Sequence, residues 1–245
     1  MENKNFEYKG WKVNGFVALG LILLGLVASV LLIVKATELE SVSLGVSLLV
    51  VGVLLIIFFL VAMSGFMLLE PNEARVLTFF GKYCGSFYET GFWWVNFLMS
   101  AKKISLRARN LNAEPIKVND KVGNPVLIGL VLVWKLKDAY KAMFEIDSQT
   151  MAANTQGTTI GASVASRMNA FEDFVKVQSD AALRQVAGLY AYDDTDNNSD
   201  ELTLRSGGAE INELLVAKLN ERLAFAGIEV QEARINYLTY APEIA

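Results

Sequence analysis

One cysteine, Cys84, and no histidine stand among 245 residues, so the side chains that most often carry nucleophilic and metal chemistry are nearly missing. Ser-His and Cys-His nucleophile pairs, histidine-ligated zinc and HExxH proteolysis all need an imidazole, and each is excluded. A lone cysteine forms no internal disulfide, which suits a reducing compartment. A Ser-Lys or carboxylate mechanism is what chemistry remains. Gly161-Ala162-Ser163-Val164-Ala165 matches a nucleophile elbow only in part, because the second glycine and any histidine base are missing. The acidic stretch 193–200 invites a calcium reading. Counted from Asp194, however, the sixth position is Ser199 and the twelfth Arg205, where an EF-hand loop needs glycine and glutamate. No catalytic residue, cofactor or metal ligand is expected, so the residues point away from an enzyme.

The elements that organise the chain are two runs without an ionisable side chain, residues 13–34 and 42–69, separated by a short link carrying Lys35. A bilayer core needs ~20 apolar residues in a helix, and each run is long enough. The second would overshoot, so its helix is expected to end near Ser64 and Gly65. The link leaves room for little except a tight turn, which predicts an antiparallel hairpin over residues 13–65 behind a short tail, 1–12. Lys4, Lys9 and Lys12 precede the first span and Arg75 and Lys82 follow the second. By the positive-inside rule both ends of the chain should be cytoplasmic. Gly25 and Ser29 share one face of the first helix, and Gly45 and Gly52 one face of the second, the spacing that lets helices approach closely. These four residues are the candidate packing positions within the membrane.

A net charge of -4 and no basic cluster after the hairpin argue against a nucleic-acid partner. Residues 74–80 read as a strand, and Gly81 and Gly85 bracket a turn. Residues 92–99 are aromatic or apolar almost throughout. Phe92, Trp93, Trp94, Phe97 and Leu98 are expected to dip into the cytoplasmic leaflet, since Trp favours the headgroup level; filling the core of the first soluble unit is the alternative. Residues 104–109 alternate as a strand with one face buried. Further strands around the polar turn 119–124, and a short helix capped by Asp138, complete a mainly β unit over residues 66–146.

Residues 148–166 carry no charge and show no period, which predicts an inserted loop or weak helix over 147–170. Residues 171–245 then form an α/β unit. Asn169 and Glu172 resemble a capping box, opening a helix to about Tyr190. Phe171, Phe174, Val175, Ala182, Val186 and Leu189 mark its buried face. A second helix spans residues 208–226, with Gly227 at its C′ position. A strand with a bulge near Gln231 follows. Pro242 and Glu243 are a helix-start signal with little chain behind it, which suggests a longer natural protein.

The segment EPNEARVLTFFGKYCGSFYETGFWW resembles the opening of the SPFH or band-7 domain of stomatins, prohibitins and flotillins. FEDFVKVQSDAALRQVAGLYAYD resembles the family's helix with its tyrosine-aspartate end, and INELLVAKLNERLAFAGIEVQEARINYL its second helix, Gly-Ile turn and final strand. The resemblance covers roughly residues 66–245 and implies an α+β chain: two transmembrane helices, then a β-rich and an α/β subdomain. It further implies a membrane scaffold that assembles into large rings or cages, organises lipid microdomains and restrains partners such as a membrane-bound AAA protease. A bacterial inner membrane is the expected location. The insertion near 148–170 and the two-span anchor both depart from the family's usual pattern. Ring formation fits a sheet with an open strand edge and a head-to-tail contact that closes. A membrane-tethered protease adaptor acting without a cage, and a membrane hydrolase using Ser163, are the rival readings.

Overall fold

The computed structural model describes residues 6–39, 41–146, 164–193 and 202–242. The architecture is α+β, and its packing divides into two units, residues 6–103 and 104–245.

In the first unit a short strand, β1 (Lys12–Asn14), runs directly into helix α1 (Gly15–Thr37), and α2 (Val42–Ala62) returns antiparallel beside it. The Asn14 side chain caps α1 by accepting from the Phe16 N–H at 3.0 Å. A 3-10 turn, Met63–Gly65, ends the second apolar run where the spanning length demanded. Only 17% and 11% of the most apolar stretches of the two helices are buried. A core helix of a water-soluble domain would be mostly covered, whereas these present leucine, valine and phenylalanine outward over their full length.

Beyond the hairpin, β2 (Phe66–Leu69) and β5 (Gly91–Val95) join β1 in a sheet of order β1-β5-β2, while β4 (Lys82–Phe87), β3 (Glu73–Phe79) and β6 (Met99–Ser105) form a second. Tyr8, Met67, Leu69, Leu77, Phe87 and Val95 make the core of this unit. The alternating stretch 104–109 is not one strand: β6 ends at Ser105 and the next begins at Arg109. That break adjoins the division between the two units. Gly85 is not a turn residue either. It lies in β4 at φ +127°, at a bulge opposite β3, and a Cβ there would stand 2.8 Å from the Cα of Tyr8. The missing side chain lets the N-terminal segment cross the strand. Tyr8 N–H donates to Ser86 O at 2.9 Å, and Ser86 N–H to Phe6 O at 2.8 Å.

The second unit is one antiparallel sheet, β7 (Arg109–Asn119), β8 (Pro125–Leu136) and β9 (Ile228–Tyr240), in the order β7-β8-β9. Alternate residues of β8, from Ile128 to Leu136, are buried. Ile211, Leu215, Leu219 and Leu223, the four-spaced face of α5 (Gly208–Leu223), are buried as well, as are Val175 and Val186 of α4 (Val164–Ala187). Each such side chain contributes roughly 1.5–3 kcal/mol by leaving water. Because β8 pairs with β9, strands from both sides of residues 147–170 share one sheet. The packing division falls at 103/104. The capping box does not open its helix: α4 already runs from Val164, Asn169 sits inside it, and Glu172 instead pairs with Arg109 at 3.1 Å. Leu189 lies past the end of α4 and is exposed. Asp138 caps α3 (Ala139–Phe144), and Gly227 adopts φ +68° after a 3-10 turn. Register shifts in β9 leave Gln231 unpaired, as the change of phase predicted, and Asn236 as well.

The outer edge of β9 is engaged by α5 at Val230 and Ile235. Asn220 Oδ1 accepts from Val230 N–H at 2.8 Å and its amide donates to Val230 O at 3.0 Å, while Asn212 Oδ1 accepts from Ile235 N–H at 3.2 Å.

Candidate membrane interface

β5 is the element that positions the candidate interface residues, because it pairs antiparallel with β1 on one side and β2 on the other. β1 leads into α1, and β2 emerges from the turn after α2. The foot of α1 lies near Phe92: a Cβ on Gly15 would overlap the Phe92 ring, and the Phe16 ring meets it edge-on at 5.3 Å. The foot of α2 lies near Trp94 and Val95. Trp94 Nε1 donates to Ala62 O at 2.8 Å, and a Cβ on Gly65 would overlap Val95 O. Three strand residues advance ~10 Å, close to the axial spacing of packed helices. β5 thus crosses beneath the hairpin from one foot to the other.

Strand alternation then sorts the aromatic residues. Phe92 and Trp94 face the helices; Phe92 also stacks on Phe66 at 5.2 Å, and Trp94 meets Trp11 edge-on at 5.4 Å. Trp93 turns the other way, packs against the core and meets Phe87 at 6.0 Å. Lys12, at the foot of α1, places its ammonium 5.6 Å from the Trp93 ring and 5.7 Å from that of Phe87, and pairs with Glu89. Phe97 reaches Phe58 of α2 at 6.1 Å, and its carbonyl accepts from Ser64 Oγ. Leu98 is exposed.

The four small residues of the hairpin lie on its internal face. Gly25 meets the Phe59 ring, Gly52 would bring a Cβ to 2.5 Å from Ile33 Cγ1, and a Cβ on Gly45 would stand 2.9 Å from Ala36 O. Ser29 is buried with its hydroxyl donated to Gly25 O at 2.7 Å, so no polar group of that side chain faces lipid unsatisfied.

Sequence reasoning missed Asp120. Its carboxylate is buried in the β7–β8 turn, where Oδ1 accepts from the N–H groups of Val122, Gly123 and Asn124. Oδ2 accepts from Tyr192 N–H at 3.1 Å, which ties the turn to the chain after α4. An Asp followed by a Gly three residues later signals such a turn, but nothing local signals the distant partner. The partial nucleophile elbow at Gly161 to Ser163 and the acidic stretch from Asp194 lie outside the described residues. Among the described residues no His/Cys/Asp/Glu group could hold a metal ion. No curated protein matches the chain. The model of the SPFH domain / Band 7 family matches residues 68–245, well over half of it.

Proposed function

The chain belongs to the SPFH domain / Band 7 family, and from that premise we propose that it self-assembles into a large ring or cage in the membrane, organising lipid and enclosing or regulating membrane proteins. The family is one of membrane scaffolds, generally without enzymatic activity. The observation that most supports the reading is the strand β5 fixed across both helix feet. An anchor joined to its first soluble sheet at two points holds each copy in one orientation to the bilayer. Copies confined to a plane in one orientation reach a high effective concentration, so weak lateral contacts suffice. A head-to-tail contact whose rotation closes gives a ring. Because Asn212 and Asn220 occupy the β9 edge at Ile235 and Val230, a neighbouring strand does not add at those two positions.

In this reading the lysines before α1, and Arg75 and Lys82 after α2, keep both ends in the cytoplasm of a bacterial inner membrane. Phe92, Trp94, Phe97 and Leu98 lie at headgroup level, with Trp93 fastening the strand to the core behind them. A membrane-bound AAA protease is the kind of client such an enclosure would restrain. Electron micrographs of the full-length chain in mild detergent test the proposal: uniform closed particles of many copies are expected, and particles of one or two copies overturn it in favour of a tethered adaptor.

A further inference from the structure

A groove of about 740 Å3 opens beside the foot of α2, where the N-terminal segment 6–11 passes over β4. Its lining includes Lys9, Trp11, Lys82, Tyr83 and Asn96, with Glu7 as its acidic member. We propose that this groove binds the phosphodiester headgroup of an anionic glycerophospholipid; the inference rests on the membrane reading above and names a lipid for it.

Three observations carry the assignment. The first is height: Trp11 touches Trp94, which is bonded to the last turn of α2, and Asn96 adjoins Phe97, which touches Phe58 of the same helix. The groove therefore opens at the level where the hairpin leaves the bilayer. The second is charge. Lys12 is engaged by Glu89 and two aromatic rings, and Lys103 by Glu73 at 2.7 Å, whereas Lys9 and Lys82 are exposed and have no partner among the described residues. Two ammonium groups against one carboxylate leave the lining net positive. The third is hydrogen-bonding capacity. Asn96 Oδ1 accepts from Leu98 N–H at 3.0 Å, so its amide NH2 is the end left over, and it has no acceptor among the described residues. The Trp11 indole N–H has none either, although Trp11 is 68% exposed. Neutral and cationic donors in the lining outnumber its one carboxylate, Glu7, which suits a phosphate oxygen. The volume suits a headgroup and glycerol, and the exposed Trp11 and Phe6 rings give its acyl ends an apolar margin.

The test uses the full-length chain in mild detergent, titrated with palmitoyl-oleoyl phosphatidylglycerol or phosphatidylcholine and read by native mass spectrometry. Phosphatidylglycerol is expected to be retained over phosphatidylcholine. Lys9→Gln and Lys82→Gln should each weaken its retention about fivefold, and Glu7→Gln should strengthen it. Lys35→Gln, at the opposite end of the hairpin, should leave it unchanged. Equal retention of the two lipids, or a loss in Lys35→Gln matching that in Lys9→Gln, overturns the proposal. Thermal midpoints equal to wild type show that the lysine variants are folded. Chains that prefer phosphatidylglycerol yet remain single overturn the scaffold reading and leave this site standing. Chains that assemble without any lipid preference overturn the site alone.

Discussion

The indole of Trp94 donates to the carbonyl of Ala62, the last residue of α2, over 2.8 Å. The α-helical ladder ends here, and this bond joins the floor strand to the anchor where the helix passes into its 3-10 turn. Trp94→Phe keeps an aromatic ring and removes the donor. It should lower stability by about 1 kcal/mol, and Trp94→Ala, which also gives up packing against Trp11, by about 3 kcal/mol. Thermal unfolding of the full-length chain in detergent measures both. A Trp94→Phe midpoint equal to wild type would show that the carbonyl is satisfied elsewhere.

Adjacent tryptophans on opposite faces of β5 should respond differently to lipid. In a Trp11→Phe background, shallow brominated lipids are expected to quench Trp94 more than Trp93, because Trp94 faces the helix feet and Trp93 packs on the core. Trp93→Phe and Trp94→Phe each leave one of the pair beside Trp134, which is fully buried in the second unit and common to both variants, so their difference separates the two emissions. Equal quenching, or none, would remove β5 from the headgroup level.

Where the chain's pattern is local, the fold is legible in the sequence. Uncharged runs gave the two helices, the change of phase after Val230 gave the bulge at Gln231, and Gly227 marked the end of the helix before it. The failures share a cause: the deciding contact is distant in sequence. Asn169 and Glu172 have the spacing of a capping box, but Glu172 is drawn to Arg109, 63 residues away, within a helix already formed. Gly85 looked like a turn because glycines often mark turns, whereas its role is to let Tyr8 pass. The candidate interface was legible as composition and not as orientation: the aromatic run named the residues, but only the pairing of β5 with β1 and β2 separates Trp93 from its neighbours.

Gly25 and Phe59 form a matched pair across the hairpin, the absent side chain of one making room for the ring of the other. Gly25→Val overfills that space and should destabilise by about 1–3 kcal/mol. Phe59→Ala should cost a comparable amount by leaving a gap. The double variant should be less damaged than the sum of the two, since the inserted methyls occupy the space the ring vacates. Unfolding midpoints of the four chains give the coupling. Strict additivity would mean that Gly25 is small for a reason other than Phe59.

Asp120 makes the sharpest prediction about pH. Burial alone would raise its carboxyl, but backbone N–H donors from Tyr192, Asn124, Gly123 and Val122 outweigh burial and hold it below the ordinary value of 3.8. A carboxyl depressed in the folded state stabilises fully above its unfolded value, and that contribution fades as pH falls through the folded one. Asp120→Asn preserves an acceptor for the three N–H groups of its own turn while turning an NH2 group toward Tyr192 N–H, so the loss falls on the link between the turn and the chain after α4. The substitution should cost about 2 kcal/mol near neutral pH. The gap from wild type should narrow as the carboxyl protonates below about pH 4. Unfolding midpoints of both chains at about pH 6 and about pH 3 measure it. A gap of the same size at both values would show that the turn depends on the shape of this side chain and not on its charge.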